Sequence, residues 1–305
     1  MSGSQCCRYV CQEFQLKRFG CSEVHPARFS YSQWRIPLEV VLVYRFLVAA
    51  YCIFWLIYTS RYGSVQVVNG AEIPMFAFLT TWTYFVLTVY LTLHFLSCVL
   101  YACRRGGGLC RRLSSENHRH MFHELEVQPS LWASREYDAI PGTEPDEEVV
   151  DEIRTVRLSW LTKLVWVLYN IASNACILVT LAFWILLYPG MHLSGLELML
   201  NIQLHGITSV IIIIEICVTA IPVRLPHFIY TLLYGLLYIL FSGIYYAVDH
   251  RHVLYPHVLD WSEPGRTAVI LVLSAFVALP LVQLFLFGIS KLRLFIFDRC
   301  NPEQL

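Results

Sequence analysis

Six apolar stretches dominate this chain, each at or above the roughly 20 residues an α-helix needs to cross a bilayer. They run over Ile36–Tyr58, Met75–Ala102, Leu161–Tyr188, Leu196–Ile221, Phe228–Val248 and Thr267–Ser290. Water cannot pair backbone groups inside hydrocarbon, so each stretch must close its hydrogen bonds within itself as a helix. The predicted fold is an all-α integral membrane protein, a six-span helical bundle. Pro280, inside the sixth stretch, predicts a kink.

Composition supports this class. Of 305 residues, 57% are hydrophobic and only 14% are charged, where soluble domains carry about 25% charged residues. That excludes a soluble globule, and intrinsic disorder over most of the length. Acidic and basic residues balance at 22 each, which removes the basic footprint of a nucleic-acid-binding protein. The first apolar run begins near Ile36, too late for a cleaved signal peptide, so the first span is expected to direct insertion.

The spans divide the chain into a tail (1–35), spans one and two (36–102), a long loop (103–159), spans three to six (160–290) and a second tail (291–305). The loop begins with Arg104, Arg105, Arg111 and Arg112, turns acidic over Glu144–Glu152 and lacks apolar periodicity. It reads as a largely disordered linker. Lys and Arg near span ends set orientation. Eighteen lie in the tails, the long loop and the turn at Arg224. The alternate loops hold only Arg61, Arg251 and Arg266. Both termini are therefore predicted to be cytosolic.

Eleven cysteines, none in an outer loop, fit a reducing compartment without a disulfide framework. Cys6, Cys7, Cys103 and Cys110 are candidate S-palmitoylation sites. The Cys6, Cys7, Cys11 cluster lacks a second set of ligands, so no metal is expected, and no other cofactor either. No Asn-x-Ser/Thr sequon occurs.

Ionisable residues inside a span are costly and mark a partner or a function. Arg45 lies nine residues into span one, about 14 Å deep, and Glu215 six residues from the same side of span four, about 9 Å deep. Matched depth predicts a structural ion pair between them. Glu39 is close enough to its helix end to reach the interface, and His94 reads as structural. His205 lies about 14 Å from the other side, with Asn201, Thr208 and Ser209 on its face. Thr80, in the first turns of span two, enters from that side too. A hydroxyl beside an imidazole is the minimum for nucleophilic acyl transfer. Thr80 and His205 are thus the candidate catalytic pair, with Asn201, Asn170 and Asn174 as candidate oxyanion donors. The Asn pair at 170 and 174 reads first as helix–helix glue.

Glu13-Phe14-Gln15-Leu16-Lys17-Arg18-Phe19-Gly20, then Ser32-Gln33-Trp34, Tyr44-Arg45, Phe78-Leu79-Thr80-Thr81-Trp82 and Tyr255-Pro256-His257-Val258-Leu259-Asp260-Trp261 with Pro264 resemble, in that order, the rolling stone family. That family is linked to myoblast fusion in flies, so the resemblance implies a multi-pass membrane protein with a developmental or cell-fusion role. More distantly, Leu204-His205-Gly206-Ile207-Thr208-Ser209 with Ile214-Glu215, and Leu79-Thr80, resemble the androgen-induced fatty-acid-ester hydrolases. That resemblance implies Thr80 as nucleophile and His205 as base. Thr81 leaves the register open by one, and adjacent helical residues differ by 100° in direction.

Two functions are therefore expected: an intramembrane Thr/His lipid ester hydrolase, or a non-enzymatic membrane organiser associated with cell fusion. Membrane lipids are the expected partners, a lipid ester the candidate substrate, and the plasma membrane or endoplasmic reticulum the expected location. The charge asymmetry makes a direct prediction. Protease applied to intact cells should spare a tag at either terminus and remove one inserted within Val65–Asn69; removal of the N-terminal tag would reverse the orientation.

Overall fold

A computed structural model describes residues 13–21, 24, 26–34, 36–62, 66–68, 71–104, 158–256 and 258–300. The 103–159 loop, apart from its first and last two residues, lies outside the described residues, as do Cys6, Cys7 and Cys110. Six described helices are long and apolar enough to span a membrane. They are α1 (Leu38–Tyr62), α2 (Leu79–Arg104), α3 (Trp160–Leu187), α4 (Gly195–Val218), α5 (Phe228–Val248) and α6 (Pro264–Arg299). Local signals set several ends. The Ser159 side chain accepts from the Thr162 amide and caps α3, and Pro264 opens α6, where a missing amide costs nothing.

Apolar residues cover the exterior of the bundle as well as its core. Val40, Val43, Phe46, Leu47, Phe54 and Ile57 of α1 are exposed, at the spacing of one helical face. Arg45, His94, Glu215, Asn170, Asn174, Gln203 and Gln283 are buried. α3 is the hub, packing on α2, α4, α5 and α6. Its face of Val165, Trp166, Tyr169, Ala172 and Cys176 meets Tyr84, Leu87, Tyr90 and Leu91 of α2 and Ile211, Ile212 and Ile216 of α4. Between α1 and α2, β1 (Gln66–Val68) and β2 (Ala71–Ile73) form an antiparallel hairpin absent from the sequence expectations.

Three of the six spans contain a π-helical turn: Phe183–Leu187 in α3, Gln203–Ile207 in α4 and Ser274–Ala278 in α6. The last explains how α6 carries Pro280. Proline lacks an amide proton and its ring crowds the carbonyl four residues earlier. That carbonyl belongs to Phe276, inside the widened turn, so the helix absorbs the proline by a π turn.

Two stretches assigned to tails are part of the folded bundle. α6 continues to Arg299, and the segment 26–34 packs against the bundle end with Ala27 to Gln33 all buried. Trp34 meets Phe297 of α6 at 6.2 Å between ring centroids, so the described N-terminal segment and the end of α6 share one face, here the termini face. The reason is the end of α4. The last carbonyls of a helix have no intrahelical donor. Here Arg293 donates to the carbonyls of Ile216 and Thr219, the Trp34 indole to Cys217 (2.7 Å), Ser32 Oγ to Val218 (2.7 Å) and Arg28 Nε to Ala220 (2.9 Å). Cations at a helix C-terminus also complement its dipole. Arg293→Ala should thus cost about 1.5–3 kcal/mol, the usual range for a hydrogen bond to a charged group. Thermal unfolding in detergent would register it, and an unchanged melting temperature would show that Arg293 is not needed to cap α4.

Candidate functional site

Two polar regions lie inside the bundle. The first is nearer the termini face and joins α1, α2 and α4. Arg45, on the buried stripe of α1 with Val41, Ala49 and Cys52, reaches Glu215 of α4 at 3.4 Å, Nη1 to Oε2. The same Nη1 comes closer, 2.7 Å, to Nδ1 of His94 on α2. Guanidinium has no acceptor, so it donates and Nδ1 must be the unprotonated nitrogen. The proton then sits on Nε2, which donates to the Phe29 carbonyl at 2.7 Å. Tyr90, one turn from His94, donates its hydroxyl to Glu215 Oε2 at 2.8 Å.

This is more than the ion pair that depth-matching expects. An optimal N–H···O contact between ions is about 2.7–2.9 Å, so the 3.4 Å separation marks a loose pair, with His94 holding the guanidinium more closely. His94 and Tyr90 were missed as members, although a signal existed. His94 is ten residues from Arg104, about 15 Å, the same depth as Arg45. The cluster is not fully satisfied: Glu215 Oε1 and Arg45 Nε and Nη2 are buried without hydrogen-bond partners.

The second region lies toward the opposite face. Thr80 is buried in the first turn of α2, beside the Tyr255 hydroxyl of the loop between α5 and α6. The Tyr255 oxygen also accepts from the Leu79 amide at 2.8 Å. Nearby, the Tyr238 hydroxyl donates to Ala77 O, and Thr83 Oγ1 lies 3.2 Å from the Tyr234 hydroxyl. Thr80 thus faces α5 and the loop between α5 and α6. Thr81 instead donates to Met75 O. Burial pushes the Tyr255 phenol up, so it stays protonated and is no base for Thr80.

His205 faces elsewhere. Its ring stacks on Phe183 of α3, with centroids 3.8 Å apart and planes 5° from parallel. Its other polar neighbour is the Val179 carbonyl, and Nδ1 is buried without a partner. Gln203, two residues earlier, is the side chain that α4 sends toward α1 and α2: Tyr51 donates to its Oε1 at 2.6 Å, and its Nε2 reaches the Tyr84 hydroxyl at 3.4 Å. Tyr84 is itself one turn, about 6 Å, deeper than Thr80. The structure therefore does not bring Thr80 and His205 together as a hydrogen-bonded pair. Two residues apart on the helix, Gln203 points toward α1 and α2 and His205 toward α3.

The candidate oxyanion donors are also engaged elsewhere. Asn174 Nδ2 donates to Gln283 of α6 at 2.7 Å, and Gln283 Nε2 donates on to Arg224 O. Asn170 donates to Trp166 O within α3, and its carbonyl accepts from Thr231 of α5. Asn201 folds back onto Glu197 O. The Asn174 side chain ties α3 to α6, whereas the Asn170 side chain stays within α3 and only its backbone carbonyl meets α5. Among the described residues no group of three His, Cys, Asp or Glu is placed to hold a metal ion.

Removing one partner of a buried pair leaves an uncompensated charge, at about 3–5 kcal/mol. Arg45→Ala and Glu215→Ala should each lower the folded yield by that measure. The double substitution should be less damaging than their sum, and His94→Ala should be coupled to Arg45→Ala in the same way. Additive losses in a cycle of thermal denaturation measurements would show that these contacts do not bind the spans together.

A family model described as "Protein rolling stone" matches residues 147–301, just over half of the chain. A curated relative, "Protein rolling stone" of Drosophila melanogaster, is 30% identical over 136 residues, covering 43% of this chain and 49% of the relative. The chain thus spans about half the length of that relative. No solved structure matches. The matched region holds α3 to α6, with His205 and Glu215, while Arg45, Thr80 and His94 precede it. Six membrane-length helices and a match over the second half of the chain establish this protein as a multi-pass integral membrane protein of the rolling stone family.

Proposed function

We propose that this chain is a non-enzymatic membrane organiser: a six-helix frame, with cytosolic termini, that acts through lateral contacts with membrane lipids and other membrane proteins. The observation that carries this reading is the separation of Thr80 from His205. A Thr nucleophile needs a base within about 2.6–3.2 Å, and the group beside Thr80 is a protonated phenol. The Arg45–His94–Glu215 cluster, Gln203 and the Asn174–Gln283 pair hold helices to one another. Residence in the plasma membrane or the endoplasmic reticulum belongs to the proposal. Myoblast fusion, implied by the resemblance, is not singled out by the geometry.

One observation favours the hydrolase as a second reading. His205 keeps a bare, buried Nδ1, and it stacks across from Phe183 where two π turns meet. π turns recur at functional sites. In that reading a change in the π turn of α4 would bring His205 to Thr80. Labelling the purified protein with a fluorophosphonate decides between them. The organiser predicts no specific labelling. Covalent labelling that is lost in both Thr80→Ala and His205→Ala, and retained in Thr81→Ala, would establish the hydrolase and overturn the organiser.

A further inference from the structure

We propose that residues 26–34 form a strap that lifts from the bundle and, when lifted, admits water from the termini face to the Arg45–His94–Glu215 centre. This inference stands apart from either functional reading.

The strap is built as a cover. Phe29 inserts among the apolar residues of α2, α3 and α4, its ring 5.5 Å from that of Trp166. Its carbonyl is the acceptor that closes the polar centre, taking the His94 Nε2 proton at 2.7 Å and the Cys98 thiol at 3.3 Å. Arg28, Ser32 and Trp34 clamp it to the end of α4 through side-chain bonds to backbone carbonyls. Those clamps are replaceable. Water can take each carbonyl, while Arg293 continues to hold Ile216 O and Thr219 O from α6. Lifting the strap therefore leaves the bundle itself capped.

Docking also leaves polar groups in want of partners on both sides of the strap. Gln33 is 1% exposed, yet neither atom of its side-chain amide has a hydrogen-bond partner. Beneath the strap, Glu215 Oε1 and Arg45 Nε and Nη2 are in the same condition. A buried donor or acceptor without a partner is destabilising. Every one of these atoms would gain by hydration in the lifted state, whereas the clamps and Phe29 favour the docked one. Opposed terms of this kind make a two-state element rather than a fixed plug.

Cys98 is a native reporter. Its thiol lies directly under the Phe29 carbonyl at 0% exposure, while Cys103, five residues on, is exposed, and Cys176 is buried within α3. A maleimide reacts with thiolate, which requires water at the sulfur. The full-length protein in lipid nanodiscs would be treated with N-ethylmaleimide, and the three cysteines followed by mass spectrometry. Cys103 should react fast, and Cys98 and Cys176 slowly. In an Arg28→Ala, Ser32→Ala double variant, Cys98 should react about tenfold faster with Cys176 unchanged, as expected when a local opening is made easier. Gln33→Leu, which removes the unpartnered amide, should slow Cys98 below wild type. If Cys98 and Cys176 accelerate together, the clamps hold the whole fold and the strap does not gate. If Cys98 responds to neither variant, the strap is not the barrier above the centre.

Discussion

A guanidinium cannot be left bare in hydrocarbon, and much of the described bundle follows from how this chain accommodates one. Arg45 keeps its charge at any pH a cell reaches. It takes His94 as its nearest acceptor and Glu215 as its counter-ion, which brings α2 and α4 to α1. Donation by Arg45 decides the His94 tautomer, and the tautomer decides that Nε2 must find an acceptor. That acceptor is the Phe29 carbonyl. A charge in α1 thereby dictates the position of a segment that precedes it in sequence, through one imidazole. Interhelical hydrogen bonds in membranes average only about 0.6 kcal/mol each. The cluster contributes specificity of register more than bulk stability, since it fixes Arg45, His94, Tyr90 and Glu215 at one depth across three helices.

The same need for partners governs the end of α4, by a different route. Helix-end carbonyls at the membrane boundary are normally left to water. Here the strap and Arg293 cover them, so the chain exchanges solvation for a closed termini face. Gln33 is the cost of that exchange, a buried amide with nothing to bond.

The six spans were legible because crossing a bilayer imposes a length and a composition that few other structures share. The meeting of Arg45 with Glu215 followed from depth, a coordinate that sequence position fixes well at 1.5 Å per residue. Direction around the helix axis is the coordinate it fixes poorly. An α-helix turns 100° per residue, and each π turn shifts that count for everything beyond it. Gln203–Ile207 contains His205 itself, so a face inferred by uniform turning is least dependable at that residue. The strap was illegible for another reason. Ala27 to Gln33 have no apolar period, and they are buried because the end of α4 offers carbonyls to their donors, a fact of tertiary structure.

Thr80 and His205 illustrate what depth alone leaves open. Both sit in the half of the bundle away from the termini, so depth permits a pair. Each nevertheless has aromatic company of its own: Tyr255 and Tyr238 around Thr80, Phe183 against His205. These neighbours give each residue contacts other than the proposed partner. Gln203 then occupies the direction in which a base would have to point, engaged by Tyr51 and Tyr84 at once. For His205 to face α2, Gln203 must leave those hydroxyls and the Phe183 stack must break in the same motion. The hydrolase reading thus asks for a coupled rearrangement of one π turn, whereas the organiser asks for none.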